Sequence, residues 1–204
     1  MSHAGALTTR LRFITGILIV PQRNPLVLAK EVATLDYLTG GRISLGIGVG
    51  WLQEEFAALG VPFERRGKRT DEYLAAMRAL WAGDDVSYHG EFVDFTGMNS
   101  NPKPVNGAVP ILVGGHSEAA ARRAGRLGDG FFPATGTKVD IWPLVDLMRR
   151  TAEEAGRDPD AIELTTGCPD ALPGSGADPL AAVAALAARG VDRVVLPLAP
   201  FLPD

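Results

Sequence analysis

The chain has 204 residues, of which 46% are hydrophobic and 22% are charged, and its formal net charge is −4. This composition is typical of a soluble globular protein with a full core, and we expect a single domain over residues 1–204 in the cytoplasm. The mild acidity argues against a nucleic-acid partner, because sequence-independent binders carry a basic excess. The single cysteine, Cys168, excludes an intrachain disulfide and a cysteine-cluster zinc site, and we expect no metal.

No membrane association is expected, because the longest apolar stretches, 13–20 and 180–188, fall short of the roughly 18 residues that a spanning helix needs. Arg10 and Arg12 give the first stretch the outline of a secretion signal. However, residues 21–25 contain no small-residue cleavage site, and the β-branched residues favour a buried strand.

The first part of the chain alternates short apolar runs with longer amphipathic ones. Residues 11–20 predict a strand, and Asn24 with Pro25 predicts a helix that ends at Gly40 and Gly41. Helical spacing predicts that one face of this helix is buried through Leu28, Val32, Leu35 and Leu38. The next predicted elements are a strand at 42–50, a short helix at 51–59, a charged loop at 64–69 and a helix from Thr70 with a buried stripe of Tyr73, Leu74, Met77, Leu80 and Trp81.

Residues 86–107 interrupt this alternation, with a predicted β-hairpin of 86–89 and 92–95 followed by an irregular loop rich in Asn and Pro. The alternation then resumes with strands at 109–115, 130–133, 161–167 and 191–196 and helices at 117–127, 139–155 and 179–189. Six strands alternating with helices indicate a parallel α/β sheet, either doubly wound or a (β/α) barrel.

Gly114 and Gly115 end one of these strands, immediately before His116 and a helix that Ser117 caps. In parallel α/β folds, ligands bind beyond the carboxyl ends of the strands, and a helix N-terminus favours anions. The pattern fits a phosphate-binding turn, to which His116 could donate. A tight turn whose glycines only permit the backbone path fits equally well.

Gly46, Gly48 and Gly50 form a second glycine-rich strand end, followed by Trp51. Their spacing is not that of the dinucleotide-binding fingerprint. The small residues suit a flat ring lying against the strand end, or close packing of backbone, and the pattern does not choose between them. The nearby basic residues of 65–69 suit either an anionic cofactor tail or a solvated loop.

Several segments in collinear order carry a resemblance to a known family, among them GGRISLGIGVGWLQEEF, ILVGGHSEAAARRAGRLGDGFFP and GVDRVVLPL, within residues 9–17, 21–25, 35–81, 101–104, 111–133 and 190–198. They resemble the bacterial luciferase-like family of flavin and deazaflavin oxidoreductases, which includes luciferase-like monooxygenases. The likeness is greatest to the branch that uses coenzyme F420, with FMN as the alternative cofactor.

The resemblance implies a luciferase-like (β/α) TIM barrel with a hairpin insertion at about 86–107, and an enzyme that transfers hydride between the cofactor and a small organic substrate. It implies a strand bulge with a non-proline cis peptide at Gly16–Ile17, next to Thr15, that supports the face of the cofactor ring. It also implies that the ring and ribityl chain lie against Gly48, Gly50 and Trp51, and that Gly114 and Gly115 hold the phosphate with help from Ala134 and Thr135. No catalytic acid or base is assigned.

One departure from the family pattern concerns completeness. Family members begin with two βα units before the segment that starts here at about residue 7, so this chain supplies about six of eight strands. We expect a shortened gene product or fragment, a homo-oligomer such as a dimer that covers the gap, or a degenerate binding protein. The alternatives in function are a non-catalytic cofactor-binding or partner subunit, an inactive fragment, and a sugar-phosphate isomerase or aldolase.

Overall fold

The computed structural model describes residues 1–133 and 140–201. The chain divides into two compact units, Met1–Ile111 and Leu112–Asp204, and both contain parallel strands alternating with helices. The prediction of a single domain over 1–204 stays a prediction. No helix in these described ranges is both long and apolar enough to cross a membrane.

The first unit contains four helices and five strands among its described elements. The helices are α1 (Ser2–Leu7), α2 (Pro25–Thr39), α3 (Gln53–Ala58) and α4 (Arg66–Ala82), and the strands are β1 (Phe13–Ile14), β2 (Leu18–Ile19), β3 (Ile43–Gly48), β4 (Val86–His89) and β5 (Asp94–Met98). Strands β1 and β2 both pair with β3 in parallel. All six residues of β3 are buried, so this strand is the centre of the unit.

Helix α2 confirms the predicted start and stop signals. The Asn24 side chain accepts hydrogen bonds from the N–H groups of Leu26 and Val27 at 2.9 and 3.3 Å, and Gly40 ends the helix with φ of 68°. Leu28 and Val32 are buried as predicted, but Leu38 is 69% exposed. The prediction for Leu38 is wrong because the buried face of the helix continues through Asp36 and Thr39 instead.

Helix α4 begins at Arg66, four residues before the predicted Thr70, so the prediction of a loop over 66–69 is wrong. The prediction fails because the side chains of Arg66 and Arg69 contact other parts of the protein, whereas the sequence pattern suggested that they are solvated. Arg66 lies over the Phe63 ring at 3.8 Å, and the buried Arg69 donates to the carbonyl of Pro62 at 2.6 Å. The predicted stripe is buried at Leu74, Met77, Leu80 and Trp81, whereas Tyr73 is half-buried.

The predicted hairpin insertion is confirmed, with β4 and β5 antiparallel. Its second strand begins at Asp94 rather than at residue 92, because the N–H groups of Phe92 and Val93 donate to the Glu72 carboxylate instead of to a strand. The following loop is fixed to the end of α4, because Lys103 donates to the carbonyls of Leu80 and Gly83.

The second unit contains β6 (Ile111–Gly114, whose first residue ends the first unit), α5 (Glu118–Leu127), β7 (Gly130–Phe132), α6 (Trp142–Glu154), β8 (Glu163–Gly167), α7 (Pro179–Ala187) and β9 (Arg193–Val195). Strands β6, β7, β8 and β9 are neighbours in that order, and all pairs are parallel. Counting β1 with β2 as one interrupted strand, the described residues form the six parallel strand positions that the sequence predicts.

Helices α5 and α6 cross at Gly125. A Cβ atom at this position would lie 2.5 Å from the carbonyl oxygen of Met148, so only glycine allows the two backbones to approach this closely. Beyond the crossing, Arg157 donates to the carbonyls of Gly125 and Gly128 at 2.6 and 2.5 Å and so satisfies the end of α5.

Candidate functional site

The strand predicted over 11–20 is interrupted, and this prediction of a continuous strand is wrong. Ile14 pairs with Ser44 and Leu18 pairs with Ile47, so four steps along the first strand match three steps along β3. One extra residue is therefore inserted between β1 and β2, which is the definition of a β-bulge. Bulges turn the chain locally and direct a segment out of the sheet.

The bulge carries the cis peptide that the family resemblance implies. The peptide bond between Gly16 and Ile17 is cis, and this prediction is confirmed. The preceding residue fixes the segment to the neighbouring strand, because the Thr15 hydroxyl donates to the carbonyl of Gly46 at 2.7 Å. Thr15 and Gly46 both belong to the first unit, so the bulge and β3 form one structure within it.

The bulge occupies the space beside Gly46 and Gly48 of β3. A Cβ atom at Gly46 would lie 1.9 Å from the Thr15 carbonyl oxygen, and one at Gly48 would lie 2.1 Å from the Ile17 Cδ1 atom. Gly50 has φ of 78° and is close to the Phe56 ring. Close packing against backbone therefore explains glycine at position 46. At position 48 the neighbour is the end of a flexible side chain, and the predicted cofactor contact at Gly48 stays a prediction.

The outer side of the bulge is accessible. Nothing lies within 4 Å of a Cβ atom built on Gly16, Ile17 is 45% exposed, and Trp51 is 80% exposed. The backbone at Gly50, immediately before Trp51, is held by the Arg66 side chain, whose Nε donates to the Gly50 carbonyl at 2.9 Å. An exposed backbone position and an exposed apolar side chain therefore lie on the bulge, and a second exposed apolar side chain follows the end of β3.

Three of the basic residues of 65–69 form hydrogen bonds or ion pairs with other parts of the protein. Arg65 forms a two-point ion pair with Glu91 on the hairpin, and this hydrogen bond raises the pKa of Arg65 and lowers the pKa of the Glu91 carboxyl. Arg66 and Arg69 donate to backbone carbonyls. The sequence left two interpretations of this segment open, a solvated loop and a binding site for an anionic cofactor tail. The contacts of these three arginines favour neither of them.

The second glycine-rich strand end lies in the second unit, at Gly114 and Gly115. Gly115 has φ of 129°, a conformation that side chains disfavour, and its N–H donates to the carbonyl of Phe132 at 3.1 Å. The N–H of Gly115 is therefore already used within the protein. Its contribution to the turn is its backbone conformation, and the predicted phosphate contact at Gly114 and Gly115 stays a prediction.

Helix α5 begins immediately after this turn. Ser117 caps it, with its hydroxyl accepting from the N–H of Ala120 at 3.3 Å, and His116 is exposed beside the cap. Over the described ranges, the structure gives no hydrogen-bond partner to the N–H groups of Glu118 and Ala119. An anion in front of this helix would face those two donors and the His116 ring.

The model of the luciferase-like monooxygenase family matches residues 1–188 of the chain. The chain belongs to this luciferase-like family. Both the family and the fold class predicted from the sequence, a luciferase-like (β/α) barrel with about six strands in this chain, are confirmed.

Two curated relatives and one solved structure illustrate the range of the luciferase-like family. An uncharacterized protein of Mycobacterium tuberculosis is 42% identical over 153 residues, which are 75% of this chain and 52% of that protein. An FMNH(2)-dependent dimethylsulfone monooxygenase of Pseudomonas putida is 37% identical over 161 residues, 76% of this chain and 44% of that protein. An F420-dependent secondary alcohol dehydrogenase, solved with an F420-acetone adduct, has a TM-score of 0.71 and 25% identity, covering 82% of this chain and 52% of that one.

This luciferase-like chain therefore spans about half the length of the curated relatives that it matches. Of the site residues predicted for it, Thr15, Gly16 and Ile17 lie together on the bulge, against Gly48. Gly50 and Trp51 follow β3 in the same unit, and His116 follows the turn of the second unit. Ala134 and Thr135 lie outside the described residues.

Proposed function

We propose that this chain is the cofactor-binding part of an oxidoreductase that transfers hydride between coenzyme F420, or alternatively FMN, and a small organic substrate. Membership of the luciferase-like family supports an oxidoreductase or monooxygenase. Among its relatives, one is named for dependence on FMNH(2) and another for dependence on F420, which supports a cofactor of the flavin or deazaflavin type. We place F420 first because the sequence pattern most resembles that branch.

The observation that carries the proposal is the accessible bulge at Thr15, Gly16 and Ile17. The hydroxyl of Thr15 and the side chain of Ile17 fasten the bulge to β3, so its outer face is held in one position. That face presents the backbone of Gly16 without a side chain, which suits the flat side of a ring system. Cofactors of this type supply the hydride chemistry themselves, and the protein contributes binding and orientation.

Each unit, taken by itself, contains groups whose chemistry suits part of a flavin or deazaflavin cofactor. The half-exposed aliphatic side chain of Ile17, next to Gly16, provides apolar surface for the ring, and the exposed Trp51 follows β3 in the same unit. At the start of α5, the N–H groups of Glu118 and Ala119 and the ring of His116 provide donors for a phosphate. The Glu118 carboxylate, which would oppose an anion, forms an ion pair with Arg122 at 3.2 Å.

The test is a titration of the purified protein with F420 and, separately, with FMN, followed by fluorescence and by sedimentation. We expect saturable binding, and sedimentation also tests the proposed homodimer. The decisive variant is Gly16→Leu, which adds a side chain on the accessible face without meeting another atom of the protein within 4 Å at its Cβ. Gly16→Leu should weaken binding roughly tenfold or more, a loss of about 1.4 kcal/mol.

The matched pair Gly16→Ala and Gly83→Ala controls for the substitution itself. Gly83 also has room for a Cβ atom, since its nearest neighbour would be Val86 at 3.8 Å, but it lies at the end of α4, away from the bulge. Gly83→Ala should leave cofactor affinity unchanged, while Gly16→Ala should weaken it. Equal cofactor affinity in wild type and in a folded Gly16→Leu variant would contradict the proposal.

A further inference from the structure

A groove with a volume of about 500 Å³ lies beside the bulge, in the first unit. Its apolar lining comes from Ile17, Leu18 and Ile19 at one side and from Ala58 and Leu59 of the α3 segment. The volume is within the range of small-molecule sites, roughly 300–1,000 Å³. Because Ile17 belongs both to the groove and to the bulge, the groove adjoins the surface proposed for the cofactor.

The polar lining of the groove contains two charged side chains, of which only one has a hydrogen-bond partner in the described part of the chain. Gln22, Arg23 and Glu55 contribute to it, and the Gln22 amide donates to Glu55 Oε2 at 3.3 Å. Within the part of the chain that the structure describes, the guanidinium of Arg23 forms no hydrogen bond or ion pair, and it does not pair with Glu55. The groove therefore contains one carboxylate that already has a neutral donor and one cation that is available to a ligand.

The position of these residues follows from the fold. Gln22 and Arg23 belong to the turn that follows the carboxyl end of β2, and Glu55 belongs to the helix that follows the carboxyl end of β3. In parallel α/β proteins, this end of the strands is where substrates bind. The groove thus has the location, the size and the unpaired charge of a ligand site.

We propose that this groove binds the substrate and that the substrate class is small organic acids, with the carboxylate at Arg23 and an apolar body against Ile17 and Leu59. The proposal rests on the proposed function, because only the cofactor beside the bulge makes this ligand a substrate. Arginine suits the role because its planar guanidinium donates two parallel hydrogen bonds to a carboxylate. Arg23 is then a specificity-determining residue.

The test measures direct binding of hexanoate and of hexanamide by calorimetry, with and without F420. The two probes have the same apolar body and differ in charge, so their affinity ratio reports the contribution of the guanidinium. We expect hexanoate to bind the wild-type protein more tightly than hexanamide. In Arg23→Gln the preference should fall roughly tenfold or more, because a charge-assisted pair is lost, while hexanamide affinity stays the same.

Three further variants make the outcome specific. Arg10→Gln removes another exposed arginine that does not line the groove, and it should change nothing. Glu55→Gln removes the nearby negative charge and should tighten hexanoate but not hexanamide. Ala58→Trp places a large side chain in the groove and should weaken both probes.

The outcomes separate this inference from the proposed function. If F420 or FMN binds and Gly16→Leu weakens that binding, but hexanoate shows no binding or no preference over hexanamide, the substrate assignment is overturned and the cofactor proposal stands. If hexanoate binds with the expected dependence on Arg23 but neither cofactor binds, the groove is a ligand site and the proposed function fails. Equal effects of Arg10→Gln and Arg23→Gln would also overturn the assignment.

Discussion

Strand β3 of the first unit and the turn after β6 in the second unit are both rich in glycine, but glycine is required for different reasons. At Gly46 and Gly48, a Cβ atom would meet the chain itself, at 1.9 Å from the Thr15 carbonyl oxygen and 2.1 Å from an Ile17 methyl carbon. At Gly115, a Cβ atom would meet only Ala120, at 3.1 Å, and the requirement is the backbone φ of 129°. In β3 a side chain would lack space, whereas at Gly115 a side chain would be strained by the backbone conformation.

The difference separates glycines that packing explains from those that it does not. At Gly46 the backbone of Thr15 fills the space, and at Gly48 the end of the Ile17 side chain fills it. Gly16 has no neighbour within 4 Å of its Cβ position outside the adjoining residues and no positive φ, so neither packing against another segment nor a left-handed backbone explains it. A ligand on the accessible face is a reason that would explain glycine at this position.

The largest expected effect is that of Gly46→Val. The new side chain would collide with the backbone of Thr15, which cannot move aside as a flexible side chain would, so we expect the free energy of unfolding to fall by about 3 kcal/mol or more. Urea unfolding of the purified variant measures this loss. Gly16→Ala, one strand away, should stay within about 0.5 kcal/mol of wild type. A variant at Gly46 as stable as wild type would show that the bulge does not pack against β3 as described.

A smaller loss is expected for Gly115→Ala, which tests conformation rather than space. Alanine at φ of 129° is strained, and we expect a destabilisation on the order of 1–3 kcal/mol. The control is Gly83→Ala, where φ of −157° is ordinary extended backbone and the stability should change little. If the two alanine variants unfold at the same urea concentration, the positive φ is not what selects glycine in this turn.

Elements determined by neighbouring residues were predictable from the sequence. Helix α2 has its cap at Asn24, its first residue at Pro25 and its end at Gly40, and each signal acts within four residues. The interruption of the strand between Ile14 and Leu18 was not predictable from the apolar pattern. It depends on the register against β3, about 30 residues further along the chain, and only the family resemblance indicated it.

The same distinction holds for the candidate site. The charged segment 64–69 reads as a loop because its charges suggest solvent, whereas Arg66 and Arg69 are fixed by Phe63, Pro62 and distant backbone. The groove at Arg23 has no signal in the sequence, because its two sides come from segments more than 30 residues apart and each is unremarkable alone. Arg23 stands out only once the structure shows that its guanidinium has no partner in the described chain.

A moderate effect is expected at the contact that joins the bulge to β3. Thr15→Val keeps the shape of the side chain but removes the hydrogen bond to the Gly46 carbonyl, which should lower the free energy of unfolding by about 1 kcal/mol. Thr15→Ser keeps the hydroxyl and should retain most of that stability. If F420 or FMN binds the bulge, Thr15→Val should also weaken cofactor affinity. Unchanged affinity in both variants would separate the bulge from the cofactor surface.

The smallest effect on stability is expected at the turn of the second unit, for His116→Ala. The His116 side chain is exposed and makes no hydrogen bond within residues 1–133 and 140–201, so its removal should leave the urea midpoint unchanged. Ser117→Ala, at the adjacent position, removes the cap on the Ala120 N–H and should cost about 1 kcal/mol. If this turn binds the cofactor phosphate, His116→Ala should weaken FMN binding in the fluorescence titration and leave riboflavin, which has no phosphate, unaffected. Equal losses for the two ligands would place His116 against the ring or chain instead, and no loss for either would remove His116 from the site.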